Sequence, residues 1–236
     1  MTSRAAFSLG VIGGSGGCGA SVLTGAIATR AAKAGHRTVA VDLDPAGGGL
    51  DVVLGLEHAP GPRWRDLHGL RGALDSDALI DQLPTTADGL AVLSYDRAWF
   101  DADAAMQRTV IDGLRAGVDV VVLDRARHRA VPTAMDAAVL LAHGTLSGLA
   151  GAQVTADHLL STSVEPWLIT RDVADHVVHQ VCEVLQTPLL AELRSESAVE
   201  SDLARGVPPG RSHKSVLARV ADTVLRDLLI ERRAAA

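Results

Sequence analysis

The sequence predicts an α/β protein: a doubly wound, mainly parallel sheet of about seven or eight strands flanked by helices. Three observations point there. Short apolar runs alternate with helix-patterned stretches along all 236 residues. The core must be aliphatic, because 47% of the residues are hydrophobic and only 3% aromatic, which suits strands buried on both faces. A glycine cluster, "SLGVIGGSGGCGAS" over Ser8–Ser21, follows the first apolar run and opens a helical stretch. That is how a phosphate-binding loop is built.

The elements follow in order. Phe7–Gly13 reads as the first strand and Ser21–Ala34 as a helix closed by Gly35. Thr38–Leu43 ("TVAVDL"), Gly89–Ser94 ("GLAVLS") and Val118–Leu123 ("VDVVVL") are the second, third and fourth strands. Ala137–Ala142, Pro166–Thr170 and Leu189–Leu193 complete the set. Helical patterns fall between them at Ser76–Gln82, Ala102–Ala116, Leu146–Leu160, Val173–Leu185 and Ser195–Ala204, and a last helix runs from about Ser212 to Arg232. Gly61–Ala73, "GPRWRDLHGLRGA", is the expected irregular excursion. Without a Pro/Ser-rich linker or an internal repeat, residues 1–236 read as one domain.

The bulk numbers exclude some classes. A net charge of −6 gives no overall attraction for nucleic acid, so no specific nucleic-acid partner is expected. The two cysteines, Cys18 and Cys182, stand far apart, and no Cys/His cluster has zinc spacing. Neither a signal peptide nor a long apolar span is evident, and the chain reads as cytoplasmic.

Two templates fit the glycines. Gly14, Gly16 and Gly19 satisfy the dinucleotide fingerprint G-x-G-x-x-G, and Asp42 stands where a ribose-binding acid belongs. Gly14, Gly19 and Ser21 satisfy the P-loop G-x-x-x-x-G-K-[ST], except that Ala20 holds the lysine position. Both templates use glycine for positive φ and for backbone amides close to phosphate. The rest of the chain favours the P-loop. The sole tyrosine, Tyr95, has Trp99 four places on, so no Tyr-x-x-x-Lys pair exists for hydride chemistry. The fourth strand ends in Asp124, an aspartate at a buried strand tip such as holds Mg²⁺ through water in P-loop proteins.

The stretch after the second strand, "VDLDPAGGGLDVVLGLE" over Val41–Glu57, resembles the MinD/ParA group of deviant Walker ATPases. In that group the second strand ends in Asp-x-Asp and runs on to Leu-Asp-x-Val-x-Gly-Leu. "SGGCGAS" at Ser15–Ser21 overlays their phosphate loop, Asp124 their Walker B segment, and "ESDLARGVPP" at Glu200–Pro209 with His213-Lys-Ser215 their closing part. With "APGPRWRDL" at Ala59–Leu67, the likeness narrows to actinobacterial CpaE-like proteins, relatives of TadZ, some described as septum site-determining. Those proteins commonly carry a receiver-like domain ahead of the ATPase-like one. Here the first strand begins almost at Met1, and that domain is expected to be absent.

The resemblance implies a set of roles. Ser15, Gly16, Gly17, Cys18, Gly19, Ala20 and Ser21, with Gly14, would surround the phosphates, and the backbone amides of Gly16 to Ser21 would form an anion nest. Active relatives carry lysines at the positions of Ser15 and Ala20, and both are missing, so Mg-ATP binding and hydrolysis are expected to be weak or lost. Ser21, Asp42 and Asp124 would hold Mg²⁺, and Asp44 would orient the attacking water. Arg125 or Arg127, in the basic segment Arg125–Arg129, is a candidate substitute cation; a solvated basic turn is the competing use. Thr170-Arg171-Asp172 stands where the group often has Asn-Arg, and no contact is assigned to it.

The likeness further implies a homodimer that positions or scaffolds Flp/Tad pilus, secretion or division proteins. Its place would be the cytoplasm, with peripheral contact at the inner face of the membrane, at pole or septum. Leu217, Val220, Val224 and Leu228 form the apolar stripe of the last helix, which would serve that contact or pack on the sheet. The stripe is narrow and lacks a Trp or Phe anchor, which favours packing.

Overall fold

β1 (Phe7–Gly13) runs through the middle of the molecule, and every one of its seven residues is buried. The computed structural model describes residues 6–69, 74–127, 135–161, 164 and 166–229. β1 pairs in parallel with β4 (Val120–Arg125) on one edge and β5 (Ala137–His143) on the other. β2 (Thr38–Asp42) and β3 (Ala91–Leu93) extend the sheet beyond β4, and β6 (Pro166–Arg171) and β7 (Leu189–Leu193) extend it beyond β5. The seven strands are all parallel, in the order β3-β2-β4-β1-β5-β6-β7.

This order separates the two readings of the glycine loop. A dinucleotide-binding sheet places β2 directly against β1. Here β4 lies between them, so the tip of β4, with Asp124, stands beside the end of β1. The dinucleotide-binding template, and with it an oxidoreductase, loses its architecture.

Helices cover both faces because the strands are apolar on both. α1 (Ala20–Lys33) and α8 (Val216–Val224) pack on one face, over Leu9, Val11, Val122 and Val139. α2 (Leu50–Val53) joins that layer through Leu50. On the other face α3 (Ser76–Gln82) and α4 (Ala104–Gly117) cover β2, β3 and β4, while α5 (Leu146–Leu160) and α6 (Asp175–Leu185) cover β5 and β6. A short α7 (Ser197–Leu203) precedes the final helix. Side-chain caps start several helices: Asp75, Asp103, Thr145 and Ser215 each accept an amide N–H of the first turn.

Most boundaries agree with the sequence within two residues. The last helix differs: α8 starts at Val216, where Ser215 caps it, and passes at Leu225–Leu229 into a π turn. Residues 230–232, the expected end of this helix, lie outside the described residues, as do 70–73 of the excursion and 128–129 of the basic segment. Leu217, Val220, Val224 and Leu228 are all buried against the core. Arg30 grips Asp222 with two hydrogen bonds, at 2.7 and 3.0 Å, and pins α8 to α1. The apolar stripe is therefore used by the fold.

The excursion is less irregular than its composition suggests. Trp64–Leu67 forms a 3-10 turn, and Trp64 is wholly buried among Val41, Leu43 and Leu93. Its indole N–H donates to the carbonyl of Asp42 at 2.6 Å, at the end of β2, and its ring stacks on Tyr95. Trp64→Phe leaves that buried carbonyl without its donor, and we expect a loss of roughly 1–3 kcal/mol of stability by urea denaturation. An unchanged midpoint would contradict the anchoring role.

Candidate functional site

The site begins where β1 runs out. Gly14 continues the ladder by one bond to Leu141 O at 2.9 Å, and the chain then loops to Gly19, the N-cap of α1. Gly17 and Gly19 hold φ of 71° and 97°, which a side chain would resist. Gly14 presses on α5: a Cβ there would stand 2.7 Å from Ala152 Cβ. Cys18 tucks its thiol beneath the loop and is 3% exposed. No acidic residue lies in the first turn of α1 itself, and the positive end of that helix faces the cleft.

Above the loop lies a cleft of about 440 Å³ bordered by Gly13, residues 15–22, Asp44, Asp124, Arg125, Ala126 and Arg127. The structure thus brings together Ser15, Gly16, Gly17, Cys18, Gly19, Ala20, Ser21, Asp44, Asp124 and Arg127, with Gly14 just behind. Asp42 adjoins Asp124 and Asp44 but lies behind them. It is 2% exposed and does not border the cleft. Its carboxylate accepts the amide N–H groups of Asp44 (3.0 Å) and Leu50 (2.9 Å) and the Ser94 hydroxyl (2.9 Å). With those partners, Asp42 ties the end of β2 to the start of α2.

Asp124 is beside Asp42 in register and 4% exposed. Burial, and then the charge of Asp42, pushes its carboxyl up to about 7; hydrogen bonds from Ser21 and Thr24 pull the other way. Thr24 Oγ1 lies 2.9 Å from Ala20 O and 3.3 Å from Asp124 Oδ1. Burial raises Asp42 as well, against its three donors. Loss of solvation is the main cause in both.

The two candidate arginines behave differently. The stem of Arg125 crosses Gly10, its guanidinium reaches Met135 Sδ at 3.5 Å, and burial lowers it to about 10, so it stays charged. Arg127 reaches the loop itself, donating to Gly14 O at 3.3 Å. Sequence reasoning missed four other groups. Ser94 and Thr24 carry no motif. Asp51, 2% exposed, is held by Arg63 (3.3 Å) and Arg97 (2.7 Å). Arg171, left without a role, donates to Cys18 O at 2.8 Å. Its place at the carboxyl end of a parallel strand was the available signal.

Among the described residues no three His, Cys, Asp or Glu side chains form a metal cage. The Ser21 hydroxyl and the Asp124 and Asp44 carboxylates border the cleft as a few hard oxygen donors. That set fits Mg²⁺ completed by phosphate oxygens and water.

A central glycine loop at the head of a helix, with β4 inserted between β1 and β2, defines the MinD/ParA type of P-loop NTPase fold. Comparison with solved structures agrees. A ParA family ATPase from Chlorobium tepidum superposes with a TM-score of 0.80 at 18% identity, over 94% of this chain and 98% of that one. The septum site-determining protein MinD from Pyrococcus horikoshii, complexed with Mg-ADP, gives 0.72 at 19% identity, over 98% and 100%. In sequence, the uncharacterized protein Rv3660c of Mycobacterium tuberculosis is 38% identical over 222 residues, 91% of this chain. The chain spans 62% of the length of that relative. No protein-family model matches the sequence.

The raised carboxyls set a pH dependence. Asp124 binds its proton more tightly folded than unfolded, so stability is lost as pH rises from 3.8 toward about 7. Asp124→Asn removes that term. We expect the variant to be more stable than the parent at pH 8 by on the order of 2 kcal/mol, with little difference near pH 4. Denaturant midpoints across this range check the sign; a variant weaker at pH 8 would reverse it.

Proposed function

We propose that the chain is a degenerate MinD/ParA-like positioning or scaffold protein of the CpaE/TadZ kind, with weak or absent nucleotide hydrolysis. It would act as a homodimer in Flp/Tad pilus or secretion machinery assembly or in septum placement. The observation that carries this reading is at the loop: Ala20 opens α1 at the cleft where a lysine would reach the phosphates, and Arg127, which borders that cleft, donates to the loop at Gly14 O. Amides at a helix N-terminus still favour an anion. Phosphoryl transfer, however, depends almost wholly on positioning and on charge placed against the transferring group. A cleft with Asp44 and Asp124 and no lysine is poorly furnished for that.

Nucleotide would sit along residues 15–21, with Arg127 supplying positive charge from the side of α5. Ser21 and Asp124 would hold Mg²⁺, which neutralises phosphate charge when bound. Asp42 would act by holding the neighbouring backbone, through its bonds to the Asp44 and Leu50 amides. Calorimetry with Mg-ATP and Mg-ADP tests the reading. We expect binding in the micromolar to millimolar range and turnover near background. Arg127→Ala should weaken binding about tenfold, the value of one charge-assisted contact, while Arg125→Ala changes affinity little. Equal affinity in parent and Arg127→Ala would remove Arg127 from the site.

A second reading, an active Mg-ATP-dependent ATPase switching between monomer and dimer, is favoured by Ser21, Asp44 and Asp124 bordering the same cleft. It predicts measurable phosphate release that Asp44→Ala abolishes. Release at the rate of the buffer blank in the parent would reject it.

A further inference from the structure

Arg171 ends β6 and borders a second cavity, which shares Gly17, Gly19 and Val22 with the cleft that Asp44, Asp124 and Arg127 border. One arm of its guanidinium, Nη1, donates to Cys18 O at 2.8 Å. The other edge, Nε and Nη2, donates to the Ser195 hydroxyl oxygen at 3.1 and 2.9 Å. Ser195 hands its own proton to Asp172 Oδ2, and its amide donates to Asp172 Oδ1 at 2.8 Å. Asp172 adopts φ 53°, a left-handed conformation that a non-glycine residue keeps only when its surroundings fix it. The arginine is thus braced from behind and aimed at one loop carbonyl.

Gly19 is shaped to this contact. A Cβ there would stand 2.6 Å from Arg171 Nη1, and its φ of 97° disfavours a side chain as well. In a trans peptide the carbonyl of one residue and the N–H of the next point in opposite directions. Holding Cys18 O toward Arg171 turns the Gly19 N–H the other way. Gly19 itself borders the cleft as well as the cavity beside Arg171.

We propose that Arg171 is a positioning residue: by fixing the Cys18–Gly19 peptide it keeps the loop amides presented to an anion in the cleft, with Ser195 and Asp172 as its brace. This rests on reading the loop as an anion cradle, but it makes a claim about the ligand-free protein. A loop with alanine in the lysine position depends more on amides already in place, because fewer side-chain contacts are left to order the phosphates.

The thiol of Cys18, buried under the loop, reports on this directly. In a Cys182→Ser background, the rate at which native protein reacts with an aromatic disulfide reagent measures opening of the loop. Arg171→Gln should raise that rate about tenfold, the equilibrium value of one hydrogen bond to a charged donor. Arg171→Lys, which keeps one donor, should restore part of the protection, and Ser195→Ala should raise the rate about twofold to threefold. Ser195 is exposed, so its variant keeps the test readable should Arg171→Gln fail to fold. Rates unchanged in all three variants overturn the proposal. So does a rise that merely follows a lowered melting temperature, with lysine no better than glutamine. No nucleotide enters this assay, so failure of nucleotide to bind the parent is a separate result, bearing on the function proposed above.

Discussion

The structure depends on the burial of β1 on every side. Its peptide groups pair with β4 and β5, its side chains alternate between two helical layers, and none of its seven residues meets solvent. Such a strand has one outlet, at its carboxyl end in the centre of the sheet. The chain must turn there in the space between the tip of β4 and the start of α5. Gly14 against Ala152 and the positive φ of Gly17 and Gly19 are what that crowding demands. The loop is therefore a consequence of sheet geometry before it is a binding device.

The same burial sets the chemistry beneath the loop. β2 ends in Asp42 and β4 carries Asp124 one residue before its end, and parallel pairing puts the two side by side, away from water. Desolvated carboxylates this close favour the protonated form unless donors offset the loss. Asp42 has its donors built in: two amides and Ser94. Asp124 has two hydroxyls, and keeps a boundary with the cleft. Asp51 extends the polar layer outward, with Arg63 and Arg97 as its counter-charges. Trp64 closes the underside through the Asp42 carbonyl. A buried polar layer of this kind is stable because each member is satisfied, and it fixes where β2, α2 and β3 stand relative to the loop.

Around this frame the positive charge comes from outside the glycine motif. Arg127, just after β4, touches the first residue of the loop, and Arg171, at the end of β6, touches its fifth. Neither is in the position of a P-loop lysine. Arg127 borders the cleft and Arg171 does not, and each donates to a loop carbonyl.

The sequence by itself determined the elements and their class. Alternating apolar runs marked all seven strands, and the glycine cluster, Ser21, Asp44 and Asp124 identified the parts that meet at the cleft. These signals are local, since strand burial, helix caps and positive φ act within a few residues. Tertiary structure alone decided which strands are neighbours, and so discarded the dinucleotide template that the same glycines satisfied. It also decided that Asp42 turns inward to backbone amides, that the last helix spends its apolar stripe on the core, and that Arg171, bonded to Ser195, reaches Cys18 from 153 residues away along the chain. Such contacts join strand ends that only the sheet order brings together, and no periodicity or spacing in a single chain encodes which ends those are.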